Sequence, residues 1–114
     1  MSKVYLVQMP KRRNIVTGRM EDARDISSAS EYGEITQPLF PRFGASYFTQ
    51  TDVHEVRKQL RDFGDDDCLL LLGDPAAIGL AVSLAAEVNR GCYSVLRWDR
   101  DRRQYMKLSF NLRS

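Results

Sequence analysis

The apolar positions begin with Val4 to Met9, "VYLVQM", a β-branched, aromatic and aliphatic run that stops at Pro10, where a backbone donor disappears. This run predicts a first strand. From Lys11 to Gln50 neither a helical nor a strand period is sustained, and Gly18, Gly33, Pro38, Pro41 and Gly44 punctuate the segment, so it reads as a long surface excursion. Excursions of this length are often functional. Within it, "NIVTGRM" suits a short hairpin, and "ITQPLFPRFGASYF" carries apolar side chains where proline keeps the backbone extended. Its aromatics either fold back over a bare face of the domain or form a contact patch for another molecule, with Phe40, Phe43, Tyr47 and Phe48 as candidate contact residues.

A helix is expected from Thr51 or Asp52 to Phe63, capped by one of those two residues and ended by Gly64. Val53, Val56, Leu60 and Phe63 share its inner face, while His54, Glu55, Arg57, Lys58, Arg61 and Asp62 point to water. Cys68 to Leu72 then runs without polar alternation, the pattern of a strand covered on both faces. Gly73-Asp74-Pro75 turns into a second helix that reaches about Asn89 or Arg90, with Asp74 as its cap and Pro75 at a position whose amide has no partner in any case. Apolar residues surround most of that helix, which predicts burial, and Gly79 with Ser83 forms a small-residue strip that invites another backbone or a second copy of the chain. Gly91 closes it, and the tail from Cys92 reads as a terminal hairpin about a polar turn near Asp99 to Arg103.

The order β-α-β-α-β-β predicts an α/β fold. Two helical crossovers imply right-handed connections between parallel neighbours, and the last strand returns antiparallel. The expected architecture is a small open mixed sheet in a single domain, residues 1–114, with helices packed on it and the excursion of residues 11–50 wrapped around part of it. The composition, 43% hydrophobic and 28% charged, fits a globular chain of 114 residues. The start lacks a secretory pattern, and the longest apolar stretch is too short and interrupted to cross a bilayer. Cys68 and Cys92 lie outside any zinc or redox spacing and are expected as buried thiols.

A formal charge of +2 does not mark a nucleic-acid binder, but its distribution is uneven. Lys11, Arg12 and Arg13 form one basic cluster, and Arg97, Arg100, Arg102 and Arg103 another. If the strands are parallel, the turns carrying them meet beyond the carboxyl ends of the sheet, where open α/β sheets hold ligands. That edge would attract an anion such as a nucleotide or single-stranded nucleic acid, with Trp98, Tyr93 and Tyr105 as a stacking platform. Against this, short basic runs commonly just solvate a face, and aromatics in hairpins commonly pack across strands.

Catalytic chemistry finds no support in the residue pattern. His54 is the sole histidine and lacks an orienting partner on its face, the serines have no nucleophile elbow, and Asp65-Asp66-Asp67 lacks the spacing of a hard-cation loop. Gly73-Asp74-Pro75 has no phosphate-loop glycines or lysine. No enzyme, metal or cofactor is therefore expected.

In the wording of "VYLVQMPKRRNIVTGRMEDARDISSASEYGEI" and "CLLLLGDPAAIGLAVSLAAEVNRG", with the tail "LRWDRDRRQYMKLSFNL", the chain resembles small uncharacterised proteins of tailed bacteriophages, particularly marine podoviruses. The resemblance implies a phage accessory protein in the cytoplasm of the infected bacterial host. It carries no activity or site residues with it. The leading expectation is a non-enzymatic module that binds a host or phage protein through the excursion, and the alternative is an anion or nucleic-acid module at the basic edge.

Overall fold

The computed structural model describes residues 2–22, 24–41 and 49–113. Its framework is a five-stranded mixed sheet in the order β4-β1-β5-β6-β7, formed by β1 (Lys3–Leu6), β4 (Glu34–Ile35), β5 (Cys68–Leu70), β6 (Cys92–Asp99) and β7 (Gln104–Asn111). The first four run parallel and β7 pairs antiparallel with β6. A separate hairpin, β2 (Lys11–Arg13) with β3 (Met20–Asp22), leaves the body after β1 and returns through a 3-10 helix, Ser27–Tyr32. The parallel core with its antiparallel last strand matches the architecture expected from the sequence. The strands are shorter than their apolar runs, because Val7 to Met9 stay buried after the β1 ladder has ended.

Alternation along the strands divides the core between the two faces of the sheet. Tyr5, Leu69 and Val95 meet α1 (Gln50–Gln59) and α2 (Pro75–Val88) through Val56, Leu60, Ala77, Ala81, Leu84 and Ala85. Val4, Leu6, Cys68, Leu70 and Leu96 face the other way, toward Ala29 of the 3-10 helix. One face thus carries two α-helices and the other a short 3-10 helix of six residues. Leu39 and Phe40 fold back into the helix-side core.

Several local expectations change. Helix α1 begins one or two residues early, at Gln50, because Thr49 and Asp52 satisfy each other's backbone amides in a capping box, a stronger start than Thr51 alone can provide. Helix α2 buries one side only: Gly79 and Ser83 are exposed, nothing lies within 4 Å of a Cβ built on Gly79, and the Ser83 hydroxyl donates to the Gly79 carbonyl. The small-residue strip therefore faces solvent rather than another backbone. Asp67 is not solvated like its neighbours; it is buried and accepts from the amides of Lys3 at 2.8 Å and Gly64 at 2.9 Å, tying the start of β1 to the turn before β5.

Both cysteines are free, but only Cys68 is fully buried. Burial pushes its thiol up to about 11. In mildly alkaline buffer an exposed-thiol reagent should therefore label Cys92 alone in the folded protein and both residues after denaturation. Labelling of Cys68 at the same rate as Cys92 in the native state would contradict its burial.

Candidate functional site

The chain leaves the neighbouring strands β1 and β5 toward opposite faces, from β1 to the hairpin and 3-10 helix and from β5 into α2. A crevice outside the carboxyl ends of such a pair is the usual ligand site of an open α/β sheet. Here Gln8 fills it. Its side chain is 1% exposed and its Oε1 accepts the Asp74 amide at 2.8 Å. Gly73 lies against it with φ of 109°, so close that a Cβ there would stand 2.7 Å from Gln8 Oε1. At the start of α2 the Ala76 amide is taken by Asp74 Oδ1 at 2.8 Å, and Pro75 has none. Asp74 is a cap, and the amides around it are committed to the protein itself.

The basic residues after β1 lie on the hairpin, where register sets acids against Lys11 and Arg12 and Met20 against Arg13. Lys11 opposes and ion-pairs with Asp22, Arg12 opposes Glu21, and Asn14 Nδ2 donates to Glu21 Oε1 at 2.9 Å. In the turn after β6 the Asp99 carboxylate accepts from the amides of Asp101 and Arg102 and lies 4.0 Å from the Arg102 guanidinium. Both turns sit at the same end of the sheet, as parallel strands require. Lys11 lines a cleft of about 600 Å³ with Leu6, Met9, Arg24, Ile35 and Pro38. Arg24 and Asp25 also line a second cleft, of about 190 Å³, with Trp98 and Tyr105. Arg12, Arg13, Arg97, Arg100, Arg102 and Arg103 line neither cleft.

Strand alternation also divides the stacking platform. Trp98 meets Tyr105 edge to face with centroids 5.0 Å apart, while Tyr93 lies on the opposite face of β6 and packs on Phe110 at 5.4 Å. Both are cross-strand pairs. Arg97 is likewise on the face opposite Trp98.

Of the candidate contact aromatics, Phe40 is in the core at 4% exposure, so its ring is not available to a partner. Phe43, Tyr47 and Phe48 lie outside the described residues. The excursion does present apolar surface elsewhere. At the hairpin tip Ile15 is 95% exposed and Val16 89%, and Met20 on the shaft is 58% exposed. The tip is held by its own bonds: Asn14 Oδ1 accepts from the amides of Val16 at 2.8 Å and Thr17 at 3.1 Å, the Asn14 carbonyl accepts from Gly18, and the Asn14 amide donates to Arg19. Gly18 takes the left-handed conformation that closes the turn. The sequence signals this tip as a hairpin but does not signal its exposure, since two β-branched residues in succession normally suggest a buried strand.

Among the described residues no group of three His, Cys, Asp or Glu side chains is placed to hold a metal, and no helix is long and apolar enough to cross a membrane. A family model described as Phage Pam3 gp32-like protein matches residues 2–112. Comparison with curated proteins and with solved structures finds no match.

Proposed function

The chain belongs to the Phage Pam3 gp32-like protein family, and from that premise we propose that it is an accessory protein acting in the cytoplasm of the infected host, a non-enzymatic module that docks on a host or phage protein. The observation that carries this reading is the pair Ile15 and Val16, almost wholly in water at the tip of a turn fixed by Asn14. Two adjacent β-branched side chains contribute nothing to the fold from that position, and their burial against a partner would contribute roughly 1.5–3 kcal/mol each. Because the turn is already formed, little ordering cost opposes docking. Lys11 is ion-paired with Asp22 and Arg12 faces Glu21, while Arg13 faces Met20, so the hairpin presents an apolar tip on a shaft that keeps a net positive charge.

Anion binding at the strand-end edge is the weaker reading. Acids answer Lys11, Arg12 and Arg102 within their own turns, and Gln8 occupies the crevice. Capture from nuclease-treated lysate of infected cells, with the parent chain and an Ile15→Asp/Val16→Asp variant as baits, separates the two. A protein held by the parent and absent from the variant supports the arm. Equal recovery by both baits, or loss of all recovery on nuclease treatment, overturns it.

A further inference from the structure

The two edges of the main sheet are unequal. At one side β4 has two residues, a length too short to template another strand. At the other, β7 has eight, with Lys107 as its one charged side chain. The Leu112 amide donates to the Gly91 carbonyl at 2.8 Å, which makes these two a hydrogen-bonded pair continuing the β6–β7 register. Such pairs recur at every second residue of an antiparallel ladder, so Met106, Leu108 and Phe110 commit their backbone groups to β6. The close approach of the Ser94 and Ser109 hydroxyls, 2.8 Å, agrees, because side chains come nearest at the alternate pairs.

Tyr105, Lys107, Ser109 and Asn111 consequently turn their backbone amides and carbonyls outward. The Tyr105 carbonyl accepts from the Tyr32 hydroxyl at 3.0 Å, so that end of the edge is covered by the 3-10 helix. Lys107 to Asn111 is the open run. Beside it, Phe110 is 45% exposed and Leu112 65%, an apolar margin on the helix side of the sheet.

We propose that this edge pairs with the same edge of a second copy, antiparallel about a twofold axis at Ser109, joining two sheets into one. In that register Leu108 opposes the other copy's Phe110 and Met106 opposes its Leu112, so both exposed apolar residues are covered, while Lys107 opposes Asn111. Neighbouring registers are excluded by charge or shape. An axis at Lys107 sets that lysine against itself, one at Phe110 sets it against Arg113, and one at Leu108 needs the Tyr105 carbonyl where Tyr32 already sits. The contact is isologous and closed, so it stops at a dimer.

Light scattering of the full chain over a concentration series tests this, with an expected mass twice the 13.1 kDa of one chain. Lys107→Pro removes an outward amide that β6 does not use, a position an edge strand tolerates, and should halve the mass while leaving the circular dichroism unchanged. If that variant unfolds, Phe110→Asp makes the same test at an exposed position. Ser109→Cys on the axis should form a disulfide-linked dimer on mild oxidation, since Cα atoms of such a pair lie about 5.5 Å apart, within disulfide range; the parent should not. A single-chain mass at every concentration overturns the proposal. So does a dimer that persists in folded Lys107→Pro or Phe110→Asp, one lost instead in Ile15→Asp/Val16→Asp, or Ser109→Cys that fails to cross-link.

Discussion

Gly73→Ala should be among the most destabilising single-methyl additions in this chain. The new Cβ would meet Gln8 Oε1 at 2.7 Å and Gln8 Cβ closer still, and Gln8 is held in place by the Asp74 amide. The backbone at φ of 109° is a conformation that residues with a Cβ rarely adopt. Strain and overpacking together should cost roughly 2–5 kcal/mol, which for a domain of this size lowers the thermal midpoint on the order of 10–20 °C. Gly79→Ala is the matched control. Its Cβ meets nothing within 4 Å and it sits inside α2, so helix propensity should raise stability by about 0.5–1 kcal/mol. If thermal melts show Gly73→Ala within about 2 °C of the parent, Gln8 does not plug the crevice as described.

That plug marks the limit of what the sequence made legible. The parallel core is readable because Cys68 to Leu72 lacks polar alternation and each crossover is a helix with clear signals, Asp74-Pro75 above all. Strand β4 is not readable, because its two residues have no pattern of their own and join the sheet through backbone bonds such as Glu34 N to the Ser2 carbonyl and Thr36 N to the Val4 carbonyl. Gln8 gives no signal either: one amide in an apolar run acquires its role only when β1 and β5 become neighbours. The basic clusters are visible as composition, whereas the acids that face Lys11 and Arg12 depend on hairpin register, which sets Asp22 and Glu21 against them and leaves Arg13 opposite Met20. For Phe40 the sequence leaves open whether the ring folds back on the domain or meets a partner, because proline breaks the pattern around it; tertiary packing decides for the first and takes Leu39 into the core with it.

The second large effect concerns binding. Ile15→Asp/Val16→Asp should weaken the captured partner's affinity by roughly 2–4 kcal/mol, the loss of two apolar anchors at the centre of a contact, or between about thirty-fold and a thousand-fold in Kd. The fold should be unaffected. Both side chains are exposed and the bonds that form the turn come from Asn14 and from backbone groups, so the thermal midpoint should stay with the parent's. A variant that loses binding and stability together would place these residues in the core of the protein rather than at its docking tip.

The most direct measurement is photo-cross-linking in infected cells, with p-benzoylphenylalanine in place of Val16 in one variant and in place of Arg102 in another. The hairpin account predicts one discrete protein adduct from position 16 and none from position 102. Adducts from position 102, to protein or nucleic acid, with none from position 16 would contradict it.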